Sequence, residues 1–393
     1  LTTSELEQVP ALTGEETRPA RRGRRWTDSL RIGNISLVYM YIAGFVLFSF
    51  WIPHLWLDGV TQKSVLNISF AVPAILAVGL MVPLLAGVFD LSIGGTMDVS
   101  SVVLASLMIY SHVSTWLAIL ITLALGALIG VVNGLLVAVL GVDSFIATLG
   151  TSSVLSALAV ALSGNIQITG FASNFSNFST GVIGAGVQYQ VLYLAVIVIV
   201  VWYVVEHTSA GRYLQATGEN QDAARLSGVR TRRYIFVSLV VSAVVAAFAG
   251  VVETAVIGAG ESNLGDPYLL TAFAAAFLGA TQFKQRFNVW GTVAGVWALA
   301  SGVEGVTLAL KSYAWLNSLF FGVALIVAVG IGRVVEINNG RIAVRRRAAA
   351  TALPVTTEGL MATLGGSANG GSGDGPSTNG GSSDGPARDP DAL

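Results

Sequence analysis

The chain contains no cysteine. This excludes disulfides and any zinc or iron–sulfur site built on thiolates. Charge is also scarce. Asp, Glu, Lys and Arg make up 11% of the 393 residues, against about 25% in an ordinary soluble domain. Residues 35–52 and 189–205 carry no charged side chain at all. The three histidines, His54, His112 and His207, are scattered, so no metal site is expected. No G-x-x-x-x-G-K-[ST] loop is present, so the chain is not expected to bind ATP in that mode. These gaps argue against an enzyme, and no cofactor is expected.

What is abundant is apolar. Hydrophobic residues make up 53% of the chain, and the mean hydropathy is +0.71. A run of about 17–25 such residues crosses the hydrocarbon core as a helix, because backbone groups find no water to bond there. Spans are predicted near 35–53, 65–88, 93–110, 115–140, 145–163, 188–206, 233–257, 267–281, 289–310 and 314–332. The fold class read from this pattern is all-α, a polytopic transmembrane bundle of about ten spans. With the N-terminus in the cytoplasm, nineteen of the 21 Lys and Arg residues fall on the cytoplasmic side. Only Lys63 and Lys311 do not. That asymmetry is the positive-inside signal. It places both termini in the cytoplasm and the chain, as a multi-pass protein, in a bacterial inner membrane. The Arg clusters then lie at membrane edges, so lipid is the expected neighbour and nucleic acid is not.

Three parts are expected. Residues 1–30 form an Arg-rich cytoplasmic segment, and residues 31–347 the membrane domain. Residues 348–393 form a tail rich in Gly, Ser, Asn and Asp, with too little apolar surface to offset its ordering entropy. The chain opens on Leu1, and a non-ATG bacterial start codon is the simplest expectation. The apolar run after Arg21, Arg22, Arg24 and Arg25 is read as a span rather than a cleaved signal, because it is long enough to cross and nine more follow.

Several segments depart from plain lipid-facing helix. The second span carries Pro73 and Pro83 and leads into Gly87-Val88-Phe89-Asp90-Leu91-Ser92-Ile93-Gly94-Gly95. Irregular backbone at membrane depth survives where protein or a water-filled cavity covers it. Asp90 therefore lies either in a wet cytoplasmic turn or on a pathway. Asp98 lies deeper, where an ionisable group must face a cavity or a partner. Asn133 and Asn67 read as interhelical glue or pathway groups. Thr148, Glu253 and Glu304 are further polar groups inside spans. Glu304 reads as a pathway residue or as one paired within the bundle or in a second subunit. Gly126, Gly130 and Gly134 have the small-residue spacing of close helix packing.

The loop from Gly211 to Val229 lies in the cytoplasm by the charge count. Asn220 is placed to cap a short helix. Asp222 suits its positive end and Arg225 its negative end, and Gly228 supplies a left-handed stop. Ala223, Ala224 and Leu226 would give it a small apolar face. Such a helix suits another protein's groove, or equally rests on headgroups as a connector.

Three segments in order resemble the permease subunits of ribose-type sugar importers of the ATP-binding-cassette superfamily. Asp90-Leu91-Ser92-Ile93-Gly94 is similar to that family's D-L-S-V-G. Phe145-Ile146-Ala147-Thr148-Leu149-Gly150 is similar to its F-I-x-T-L-G. Gly211 through Gly228 is similar to its G-R-x-x-x-A-x-G-x-N-x-x-A-A-x-x-S-G. The segment Tyr268-Leu269-Leu270-Thr271-Ala272-Phe273-Ala274-Ala275 departs from the family's E-L-x-x-I-A-A. The resemblance implies that spans two to five and seven to ten repeat with inverted topology. It implies a second permease copy, two cytoplasmic ATPase subunits and an extracytoplasmic sugar-binding protein as partners. Carried onto this chain, Gly218, Glu219, Asn220, Asp222, Ala223, Ala224, Arg225 and Gly228 form the helix that couples to the ATPase. Asp90, Asp98, Asn133, Thr148 and Glu304 are the candidate translocation-path residues. Two readings compete with the importer: an ion-coupled secondary transporter using Asp98, Glu253 and Glu304, and a membrane assembly component that transports nothing.

Overall fold

A computed structural model describes residues 36–310 except 173 and 283–285, together with 315, 319–327 and 330. The N-terminal segment, the tail and part of the tenth predicted span lie outside the described residues. Within them the chain is almost entirely helical. The main helices are α1 (Ser36–Trp51), α2 (Gly59–Leu85), α3 (Ile93–Ile109), α4 (Thr115–Val139), α5 (Ser144–Ser163) and α6 (Tyr189–His207). Two short helices follow, α7 (Ser209–Glu219) and α8 (Gln221–Leu226). The chain continues as α9 (Thr231–Ile257), α10 (Asp266–Gln282) and α11 (Val289–Leu310).

Six of these, α2, α4, α5, α6, α9 and α11, are long and apolar enough to cross a membrane. Shorter apolar helices occupy Tyr41–Trp51, Ile93–Ile109 and Asp266–Ala280. The two at Ile93 and Asp266 are short for a common reason. Each follows an irregular segment, Ala86–Ser92 or Gly258–Gly265, that turns back into the protein. The N-termini of α3 and α10 therefore meet in the interior. A Cβ on Gly265 would collide with the backbone of Gly94, so this crossing is closed to any larger side chain.

Two helices form the centre. Every residue of α2 from Ala71 to Leu85 is buried, and α9 buries most of its C-terminal half. Around them, α9 packs on α2, α3 and α4, whereas α2 packs on α9, α10 and α11. The α4–α9 contact explains the glycine row. A Cβ on Gly126 would meet Ala247, one on Gly130 would meet Val240, and one on Gly134 would meet Phe236. Without a hydrophobic drive between helices in lipid, such close approach supplies the packing energy. The outward faces of α4, α5 and α6 keep large apolar side chains exposed, among them Leu120, Val154 and Ile199, as a lipid-solvated surface requires.

The two ends of the bundle differ. At one end, α7, the close of α2 and residue 286 come together. A Cβ on Gly218 would collide with the carbonyl oxygen of Leu85, and Arg286 pairs with Glu219 at 2.7 Å. At the other end lies the loop between α5 and α6. It contains an antiparallel pair, Val182–Gly184 with Val187–Gln188, and its strand Ile168–Thr169 pairs antiparallel with Ala259–Gly260. Asn67 fastens this loop to α2. Its Nδ2 donates to the Gly186 carbonyl at 2.9 Å, and its Oδ1 accepts from the Gln188 amide at 3.1 Å. Lys63 lies against Gly186 at the same end.

Candidate functional site

Asp90, Asn133 and Thr148 are brought together at the break between α2 and α3. Asp90 Oδ1 accepts from the Ser92 amide at 3.0 Å and from Ser92 Oγ at 2.6 Å. Ser92 Oγ in turn accepts from Asn133 Nδ2 at 2.7 Å, which ties α4 to the start of α3. Thr148 Oγ1 accepts from the Leu91 amide at 3.0 Å and donates to the Ser144 carbonyl at 2.7 Å. The Phe89 amide bonds Ser144 Oγ at 3.1 Å. The backbone freed by the break is thus taken up by α5, as buried irregular backbone demands. Asp90 is 0% exposed, so the wet-turn reading is corrected: the carboxyl is enclosed by protein. Burial pushes it above the usual carboxylate range, against the pull of its bonds to serine.

Asp98 sits one turn into α3 and serves the second break. Its Oδ1 accepts from the Gly265 amide at 2.7 Å, and its Oδ2 accepts from Ser156 Oγ at 2.8 Å. Gly265 immediately precedes α10. A carboxylate there satisfies a free amide and faces the positive end of the helix dipole. The aspartate is therefore a cap supplied by another helix. Nearby, Ser101 Oγ accepts from the Glu261 amide at 3.0 Å and from Thr254 Oγ1 at 2.8 Å. Ser101 of α3 thus holds the segment that leads into α10. This cross-capping was not readable in the sequence, because Asp98 and Gly265 are distant along the chain.

Glu304 is not part of either cluster. It accepts from Ser69 Oγ at 3.1 Å and borders a cavity of about 500 Å³ between α2, α10 and α11. Ser69 belongs to a π-helical turn, Val65–Phe70, inside α2. Such turns are rare and favour functional sites. Pro73, which has no amide to give the helical ladder, follows it and also lines the cavity. Glu253 lies elsewhere and accepts from the Tyr268 hydroxyl at 2.9 Å.

At the Gly218 end, α7 and α8 form a helical corner. Asn220 Oδ1 accepts from the Ala223 amide at 2.9 Å and so caps α8. Asp222 occupies its first turn and Arg225 its last, and Gly228 closes it with φ +82. Thr208 caps α7 by accepting from the Gly211 amide. The expected apolar face of Ala223, Ala224 and Leu226 is split. Ala224 is turned inward and 6% exposed, whereas Leu226 is 91% exposed. Ala223, Asp222 and Arg225 are also exposed. Gly218 faces back into the bundle, against Leu85 and Gly87. Gly87 has φ +78, a conformation glycine adopts without strain.

Residues 65–329 match the family described as branched-chain amino acid transport system / permease component. The chain belongs to this family. The permease is also similar to individual curated proteins. It is 32% identical over 290 residues to the galactose/methyl galactoside import permease protein of Salmonella typhimurium, covering 68% of this chain and 84% of that one. It is 32% identical over 263 residues to the ribose import permease protein of Escherichia coli, covering 66% and 81%. To the D-allose transport system permease protein of the same species it is 28% identical over 268 residues, covering 68% and 81%. No solved structure matches. Family membership makes the permease a multi-pass inner-membrane protein and the permease component of an ATP-binding-cassette importer. ATP hydrolysis belongs to separate subunits of such importers.

Proposed function

We propose that this chain forms the translocation path of a monosaccharide importer. An external binding protein delivers the sugar, cytoplasmic ATPases supply the work, and two permease subunits stand side by side. The relatives named for galactose, ribose and allose support the substrate class. The single structural observation that carries the coupling role is Leu226, a large apolar residue standing 91% exposed on a firmly capped helix. Burying that side chain in a partner's pocket would gain about 1.5–3 kcal/mol. Gly218, Glu219, Asn220, Asp222, Ala223, Arg225 and Gly228 shape and present that corner, and Ala224 roots it.

The load path runs through Gly218. A push on α8 reaches α7, then the Leu85–Gly87 corner, and then the Asp90, Asn133 and Thr148 cluster at the start of α3. Packed elements of this kind move as rigid bodies between discrete arrangements. Asp98 carries the motion to α10. Glu304 borders the space that the motion opens.

Ten spans with both termini in the cytoplasm complete the reading. Spans two to five and seven to ten are an inverted repeat. Exchanging α2, α3, α4 with α9, α10, α11 turns each contact of α9 into one of α2, and the α3–α10 crossing maps onto itself. That exchange, with two breaks meeting inside the protein, supports the repeat.

The test is reconstitution in vesicles with the neighbouring ATPase and binding protein, followed by radiolabelled sugar uptake. Leu226→Arg is expected to insert and fold normally yet lose ATP-driven uptake. Uptake at the wild-type rate would refute the docking assignment.

A further inference from the structure

The cavity beside Glu304 has a lining that no coupling role explains. We propose that it is a binding station for an uncharged polyhydroxylated solute, which the sugar occupies in transit; this rests on the importer reading above. Its volume of about 500 Å³ lies within the roughly 300–1,000 Å³ of small-molecule sites. Ser69, Thr271 and Glu304 contribute polar groups, while Tyr268 and Phe321 contribute rings.

The chemistry selects the class. A carboxylate offers about four acceptor directions, and Ser69 fills one of those of Glu304. The remaining directions suit vicinal hydroxyl donors. The Tyr268 hydroxyl is engaged by Glu253, which leaves its ring as an apolar wall for the C–H face of a sugar. Among the described residues no Lys or Arg lines the cavity, whereas Asp266 and Glu304 both do. An anionic solute would be repelled. A metal ion is disfavoured too: among the described residues no group of three His, Asp or Glu is close enough to hold one.

Position supports transit. The cavity touches the first turn of α10, where that helix begins inside the bundle, and the π-turn of α2. Interrupted helices near the middle of a membrane are where transported solutes are held. Thr271 is itself tied down, its Oγ1 donating to the Pro267 carbonyl at 3.0 Å.

The experiment measures two rates on the reconstituted complex: uptake of whichever of radiolabelled galactose, ribose or allose the wild type accepts, and ATP hydrolysis stimulated by the loaded binding protein. Glu304→Leu removes charge-assisted hydrogen bonds and is expected to slow uptake about tenfold or more. Hydrolysis should stay near the wild-type rate, giving a futile cycle. Glu304→Gln keeps an acceptor and should restore most of the uptake. Val303→Trp fills the same cavity while leaving Glu304 in the chain and should reproduce the Glu304→Leu phenotype, which keeps the test alive if that variant fails to assemble. Normal uptake in Glu304→Leu or in Val303→Trp overturns the station and leaves the importer reading standing. A wild type that takes up none of the three sugars overturns both. Uptake driven by a sodium or proton gradient without ATP would identify a cation site instead and overturn the proposal.

Discussion

Two polar regions inside this bundle use the same residue types to opposite ends. At the first break, Asp90, Ser92, Asn133 and Thr148 face one another and the loose backbone. Around Glu304, by contrast, the carboxylate accepts from Ser69 and borders a cavity of about 500 Å³. Both regions contain a carboxylate, hydroxyls and an irregular turn. The difference lies in what closes around them. Where every neighbour is protein, a carboxylate organises backbone. Where a cavity is left, it is free to meet a solute. Polarity within a span therefore does not itself mark a pathway; polarity beside open volume does.

This contrast predicts unequal consequences for stability. Asp90→Leu should destabilise most, by roughly 3 kcal/mol, because it strips a bound carboxyl from two buried donors. The check is thermal unfolding of detergent-purified protein followed by size exclusion, and Asp90→Asn should recover part of the loss. Thr148→Val leaves the Leu91 amide without its acceptor and should cost about 1–2 kcal/mol in the same assay. Glu219→Gln breaks the pair with Arg286, whose partners are 55% and 56% exposed, and should cost at most about 0.5 kcal/mol. Glu304→Gln should change stability least and keep most of the uptake. A melting loss for Glu304→Gln as large as that for Asp90→Leu would erase the distinction between the two regions.

Much of this was legible in one sequence because the bilayer imposes strict rules. Six of the predicted spans are helices long and apolar enough to cross a membrane, a length set by membrane thickness, while those near 35–53, 93–110 and 267–281 are shorter apolar helices. The cap at Asn220 and the stop at Gly228 were also legible, because both depend on residues within one turn. The row Gly126, Gly130 and Gly134 announced close packing by its spacing alone. What stayed hidden depended on distant pairing. The capping of α10 by Asp98 joins residues on different helices. The inward turn of Ala224 and the outward turn of Leu226 follow from how α8 leans on α9. The space beside Glu304 arises from three helices at once, and Pro73 and the in-span Glu304 hinted at it.

The chain's lack of cysteine makes the most direct test simple. Single Leu226→Cys and Lys63→Cys variants can be treated in intact cells with a maleimide that does not cross membranes. The account predicts that the cysteine at 63 is labelled, while the one at 226 reacts only after the membrane is opened. Labelling at 226 in intact cells would put the coupling corner on the wrong side of the membrane, out of reach of any cytoplasmic ATPase, and would contradict the account.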